Sequence, residues 1–352
     1  MSPSNPRRIP GMRRKKIGAS QEDWVRVDPL RPDRAIPMVI HPLVEGMDLA
    51  PWVAANRGYV DKLLDKYRAL LFRGFDSGGI PGFEAFVDAA SSGERLTYKD
   101  RSTPRNSYGD RIYNATVYPA EQRINLHNEG TYWVRWARKI FFGCVTNASV
   151  GGETPIADVH NVYNRIDPRI VAEFERRQVL YVRNFNHGFG LPWQEVYQTE
   201  EREEVERFCQ ENQIEIEWLG GERLRTRQIR PAVRRHPSTG EPLWFNHAAF
   251  FNVEALDEDV RAALLKDLAP EDLPYNTFFG DGATIDPEIV RRILAAYEAE
   301  KVVFRWSEGD LALYDNMRIA HAREPYQGER LTLVAMTEPY DPPAEEAQRR
   351  GA

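Results

Sequence analysis

Cysteine is nearly absent: Cys144 and Cys209 are the only two among 352 residues. Two thiols can build neither a disulfide framework nor a cysteine-rich zinc cluster, so a reducing, cytoplasmic setting is expected and any metal must rest on histidine and carboxylate. No apolar run approaches the roughly 20 residues that cross a bilayer, and the N-terminus lacks the apolar stretch of a secretory signal. No membrane role is expected. Internal repeats, low-complexity tracts and Pro-, Gly- or Ser-rich linkers are also missing, so residues 1–352 read as one domain. Basic excess is lacking as well. With 53 acidic against 47 basic residues the net charge is -6, which argues against a general nucleic-acid binder. The one basic stretch, Arg7, Arg8, Arg13, Arg14, Lys15 and Lys16, reads as a solvated tail over about residues 1–20.

What is present is a strand-rich pattern. Apolar, β-branched and aromatic runs predict strands over 36–42, 69–75, 111–117, 139–148, 179–185, 214–219, 224–232, 243–247, 301–306, 310–314 and 330–337. Helical periodicity is expected over 59–67, 79–90, 168–177, 200–211, 254–266 and 286–300, the last opening on Asp-Pro-Glu. The polar stretch 91–109 reads as an irregular loop. The fold class is therefore mainly β with flanking helices. The long interval 186–242 reads as a lid or insertion over a site, not a separate module.

Seven histidines among 53 acidic residues make about one His-x-Asp/Glu match expected by chance, and the chain holds one, His127-Asn128-Glu129. On an extended segment the i, i+2 spacing turns His127 and Glu129 to one face and Asn128 to the other, so a single ion could meet both. Two imidazoles and one carboxylate leave open positions on iron(II), the donor set of non-heme oxygenases. His321, between the strands expected at 310–314 and 330–337, is the candidate third ligand and is placed near a strand end; a simple hydrogen-bonded histidine is the alternative. Arg330 opens the last expected strand, where its planar fork could grip a carboxylate or form a buried salt bridge. Three His/Glu ligands also describe catalytic zinc, although no His-Glu-x-x-His occurs, so a metallohydrolase stays open.

The order His127-x-Glu129, then Gly151-Gly152-Glu153-Thr154-Pro155, then Leu313-Tyr314-Asp315-Asn316 leading to His321-Ala-Arg-Glu-Pro-Tyr-x-Gly-x-Arg330 resembles the TauD/TfdA-like iron(II)- and 2-oxoglutarate-dependent oxygenases. Within that group it is most similar to the syringomycin-type amino acid hydroxylases. The likeness extends to Arg13-Arg14-Lys15, Leu71-Phe72-Arg73-Gly74-Phe75 and Trp244-Phe245-Asn246-His247. It implies a double-stranded β-helix, a jelly-roll of cupin type. It implies His127, Glu129 and His321 as catalytic iron ligands, and Arg330 with Thr154 on the distal carboxylate of 2-oxoglutarate, with O2 as second cosubstrate. Many members carry Asp where Glu129 stands, and a halogenase would need a small residue there. The resemblance thus implies hydroxylation or desaturation.

For the substrate, Trp133, Phe189, Asn246 and His247 are candidate lining residues. The segment Tyr132-Trp133-Val134-Arg135-Trp136-Ala137-Arg138 offers aromatics and cations that could hold an α-carboxylate, with core packing as the alternative reading of the aromatics. The expected substrate is a small molecule, an amino acid or derivative, free or tethered to a carrier protein, used in natural-product biosynthesis. A catabolic dioxygenase of a sulfonate or aryloxy acid is the alternative. A homo-oligomer remains open.

Overall fold

The computed structural model describes residues 24–97, 100, 107–109, 111–115, 118–186 and 190–343. The basic tail and Phe189 lie outside the described residues.

The largest sheet has eight strands, in the spatial order Val25–Arg31, Arg34–Pro42, Ala69–Phe72, Leu311–Asp315, Trp136–Thr146, Leu331–Tyr340, Ile112–Asn114 and Ser107–Gly109. Its pairings are antiparallel except between Arg34–Pro42 and Ala69–Phe72, which are parallel and joined by the crossover helix Leu49–Tyr67. The central strands are apolar at almost every position because both faces are covered. Leu70, Phe72, Phe141, Leu311, Leu313, Leu333 and Ala335 pack outward on Leu49–Tyr67 and Gly79–Ala90. Their neighbours Ala69, Leu71, Ile140, Phe142, Ala312, Tyr314, Val334 and Met336 pack inward. The period of two thus divides one run of residues between two cores.

Facing that inner surface is a short sheet of Ile124–His127, Ile319–Arg323 and Ile156–Asp158, all antiparallel, with Ile156 and Ile319 joined to the inner core. Two sheets closing on one another give the jelly-roll architecture. A third sheet, in the order Glu215–Trp218, Leu224–Arg230, Val179–Phe185 and Tyr275–Phe279, flanks it. The interval 186–242 supplies two of those strands and the helices Trp193–Tyr197 and Arg202–Glu211, which share a small apolar cluster around Trp193, Val196 and Cys209.

Cap chemistry fixes the outer helices. Asp286 accepts from the Glu288 amide at 2.8 Å with Pro287 in the first turn, and Asp167 does the same for Arg169 at 2.9 Å with Pro168. Asp158 ends the short sheet and caps Val159–Arg165 by accepting from the His160 amide at 2.9 Å, so one carboxylate joins sheet to helix.

Three expectations need correction. Residues 301–306 are not a strand; only Val302 bridges Ile156, while Val302, Phe304 and Trp306 plug the inner core. Residues 244–247 leave the Pro242–Leu243 strand and run irregularly, because the Asn246 side chain takes over backbone pairing. Conversely, Ile319–Arg323 is a strand that the sequence reading placed between strands. Its mixed composition hid it. No helix among the described residues is long and apolar enough to cross a membrane.

Candidate active site

Strand register brings the distant histidines together. His127 ends Ile124–His127, His321 is the middle residue of Ile319–Arg323, and the two are directly paired across the antiparallel ladder. His321 is therefore inside a strand, not near its end as expected. The rings lie 4.5 Å apart between centroids, and with Glu129 their ligand atoms all fall within 4.8 Å of one another. Hydrogen bonding orients the first imidazole: His127 Nδ1 meets the Asn125 carbonyl at 2.8 Å, which sets Nδ1 as donor and makes Nε2 the nitrogen that could hold a metal. The His321 ring packs on Phe142 at 4.9 Å and the His127 ring on Phe250 at 4.5 Å. Apolar walls thus hold both rings.

Glu129 stands on the turn after the strand, and Asn316 holds that turn. The Glu129 amide donates to Asn316 Oδ1 at 3.0 Å, while Asn316 Nδ2 donates to the carbonyls of Glu129 and Ala137, both at 2.9 Å. Asn128 points elsewhere, donating to the Asn316 carbonyl at 2.7 Å. Gly130 completes the turn at φ +72, and a Cβ there would meet the Trp133 ring at 2.4 Å. Trp133 therefore packs over the turn that carries the carboxylate.

The second half of the site lies across the same cavity, which His127, His321, Thr154, Arg323 and Arg330 line together. Arg330 immediately precedes the strand Leu331–Tyr340. Its Nε donates to the Gly152 carbonyl at 3.0 Å and a terminal nitrogen to Thr154 Oγ1 at 3.4 Å, while Trp306 Nε1 donates to the same hydroxyl at 2.8 Å. Among the described residues no carboxylate lies within salt-bridge reach of Arg330. Burial, and then the nearby Arg323, push its guanidinium down to about 10, so it stays charged at neutral pH without an acidic partner there. Gly152 makes the approach feasible: at φ +75 its absent Cβ would sit 3.1 Å from both Cδ and Nε of Arg330.

The remaining expectations separate. His247 is buried, with Nδ1 against Thr131 Oγ1, its amide donating to the Tyr181 hydroxyl at 2.9 Å, and its ring 5.7 Å from that of His127. Burial, then the charges of His127 and Arg183, hold its pKa well below the usual imidazole value. Asn246 commits both ends of its amide, donating to Ala232 O at 2.7 Å and accepting from Ala248 N at 2.9 Å, which fixes the irregular backbone beside His247. Sequence reasoning quoted Asn316 and Arg323 without giving either a task and passed over Thr131, Tyr181 and Phe250. An asparagine just after an apolar strand was the available signal for the first.

Two imidazoles and a carboxylate on one side of a cavity, with an uncompensated guanidinium opposite, fit a divalent iron and a dicarboxylic oxo acid reaching from metal to arginine.

Comparison with known proteins agrees. The model of the taurine catabolism dioxygenase TauD, TfdA family matches residues 27–337. The dapdiamide synthesis protein DdaC of Enterobacter agglomerans is 42% identical over 287 residues, covering 82% of this chain and 87% of that protein. A clavaminate synthase-like protein of Arabidopsis thaliana is 30% identical over 297 residues, covering 81% and 86%. In fold, PvcB of Pseudomonas aeruginosa superposes with a TM-score of 0.53 at 17% identity, over 93% of this chain and 95% of that one. The chain thus belongs to the TauD/TfdA dioxygenase family and is an oxidoreductase that uses Fe(II), 2-oxoglutarate and O2.

Proposed function

We propose that this dioxygenase hydroxylates an unactivated C–H bond of an amino acid or amino-acid-derived molecule, free or carried on a protein, in a biosynthetic pathway. The observation that carries the reaction class is the cluster of His127, Glu129 and His321, ligand atoms within 4.8 Å of one another, at a cavity that both histidines line with Thr154 and Arg330. The similarity to a dapdiamide synthesis protein at 42% identity supports a biosynthetic setting over catabolism of a sulfonate or aryloxy acid.

Bound iron and 2-oxoglutarate supply the oxidant, coupling decarboxylation of the oxo acid to succinate with insertion of one oxygen atom into substrate. The chain's own residues supply placement. His127, Glu129 and His321 would hold the metal, which as a three-ligand set leaves it able to take the cosubstrate and O2. Arg330 and Thr154 fix the far carboxylate of 2-oxoglutarate, and Phe142 and Phe250 keep water from the ligand rings.

His247 and Trp133 border the substrate side. The Tyr181 hydroxyl accepts from the His247 amide, and Thr131 Oγ1 lies against His247 Nδ1. With Nδ1 engaged by Thr131, Nε2 is the ring atom of His247 left to meet a polar group of the substrate. Asn246 is a support for His247 and not a contact in this reading. In this reading the interval 186–242 belongs to the same single domain, with Arg230 of its strand Leu224–Arg230 donating to the Tyr132 carbonyl at 2.9 Å.

The test is a screen of free and carrier-loaded amino acids with Fe(II), 2-oxoglutarate and O2. It reads succinate release and, by mass spectrometry, gain of one oxygen on the substrate. Oxygen gain by an amino acid substrate is expected. Consumption of a sulfonate or aryloxy acid, with no amino acid gaining oxygen, would overturn the proposal.

A further inference from the structure

The cavity holds a second cation. Arg323 lies two residues beyond His321 on the strand Ile319–Arg323, so both side chains leave the same face, and Arg323 is opposite Ile124 where His321 is opposite His127. It is only 4% exposed. Its terminal nitrogens donate to three carbonyls of one turn: Tyr118 at 3.0 Å, Pro119 at 2.5 Å and Gln122 at 2.7 Å. Its Nε–H has no hydrogen-bond partner, and no carboxylate lies within salt-bridge reach, among the described residues. Arg323 and Arg330 also share one ring: their guanidinium carbons lie 5.2 and 5.6 Å from the centroid of Tyr326.

Two guanidinium groups facing one partly desolvated cavity repel each other, and the pKa of Arg330 is lowered by burial first and by the Arg323 charge second. Three neutral carbonyls hold the Arg323 fork in place but bring no opposite charge. An orphaned buried donor is costly, so its persistence calls for an occupant that completes it. An anion between the two cations turns their repulsion into attraction.

We infer that Arg323 is a second cosubstrate-binding residue, donating through Nε–H to the distal carboxylate that Arg330 also grips. The pair would make the site selective for dicarboxylic over monocarboxylic 2-oxo acids. The inference rests on the placement of the cosubstrate at Arg330. Its rival is a purely structural Arg323 that only anchors the 118–122 turn.

The experiment is anaerobic calorimetric titration of the Mn(II)-loaded full chain with 2-oxoglutarate and with 2-oxopentanoate, the same five-carbon oxo acid lacking the distal carboxylate. Arg323→Gln removes the charge, and Arg323→Lys keeps a charge that can still reach the carbonyls but loses the Nε–H. Both should bind 2-oxoglutarate roughly ten- to a hundredfold more weakly than wild type, as expected for loss of one charge-assisted hydrogen bond. Mn(II) and 2-oxopentanoate affinities should stay within about threefold. Unchanged 2-oxoglutarate affinity, or equal weakening for both oxo acids, would overturn the inference in favour of the structural role. Arg330→Gln is the separate control. If that variant keeps the wild-type preference for 2-oxoglutarate, the cosubstrate placement itself is wrong, whatever the Arg323 variants do.

Discussion

The eight-stranded sheet and the three-stranded sheet face each other across one core, yet they are built on opposite principles. The large sheet is apolar on both faces, and its central strands are specified by simple runs such as Ala69–Phe72 and Leu311–Asp315. The small sheet holds His127, His321 and Arg323 where the barrel pattern would favour Val or Leu. It is held by register, and the turn that follows its strand Ile124–His127 is held by Asn316. Stability is concentrated in the first and chemistry in the second, so each can be damaged with little effect on the other.

The sharpest break of that division is His321→Ala. With His321 as a proposed metal ligand, its loss should abolish oxygen-dependent turnover and metal binding while circular dichroism and melting temperature change little, since Phe142 and the strand ladder remain. Measurable turnover in that variant would remove His321 from the site.

Phe141→Ala is the converse. Phe141 is fully buried on the outward face of the large sheet, edge-on to Phe86 at 5.6 Å, and its truncation should cost about 3–5 kcal/mol in denaturant unfolding. The turnover of the folded fraction should hold. A parallel loss of 2-oxoglutarate affinity would show that the two sheets are more tightly coupled than their packing suggests.

Asn316→Ala joins the two regimes, because it strips the Glu129 amide and two carbonyls of their partner. Each buried orphan costs about 1–3 kcal/mol, and a support of this kind is worth roughly 10- to 100-fold in metal affinity. Metal titration alongside chemical unfolding should show both losses. A drop in stability with metal affinity intact would make Asn316 a structural clamp only.

Gly152→Ala is expected to be milder. Strain at φ +75 is about 1–2 kcal/mol, and the new methyl would press on Arg330, so 2-oxoglutarate affinity should fall roughly fivefold with metal binding unaffected. The smallest effect concerns pH. With the Arg330 pKa at about 10, the charged form is disfavoured by folding, so its burden on stability is present below that pH and is relieved as pH rises through it. Cosubstrate affinity has the opposite trend, flat across the neutral range and falling above about pH 10 as the charge is lost. A titration of 2-oxoglutarate affinity against pH checks it.

The contrast between the sheets also explains which parts of the molecule were legible in the chain. Runs 69–72 and 179–185 and helix 79–90 stand nearly where periodicity put them, because both faces of the strands and one face of the helix are apolar. The ligand strand Ile319–Arg323 was missed because alternating His and Arg with Ala erases the hydrophobic alternation of a strand. Residues 301–306 were misread for the converse reason: Val302, Phe304 and Trp306 alternate like a strand but serve as an apolar plug.

By itself the sequence determined the residue types available for metal binding, the absence of cysteine ligands, the family to which the chain belongs, and the strand-rich core. Ligand identity survives in a motif because coordination demands particular atoms. Only the tertiary structure decided that His127 and His321, 194 positions apart by their numbering, share one rung of a ladder. Only it showed that Asn316 grips the Glu129 turn, that Asn246 faces backbone where the His247 ring stands beside that of His127, and that Arg323 opens on the cavity of Arg330. Such contacts depend on register and crossing of segments far apart in the chain, and no local pattern of side chains encodes the distance between them.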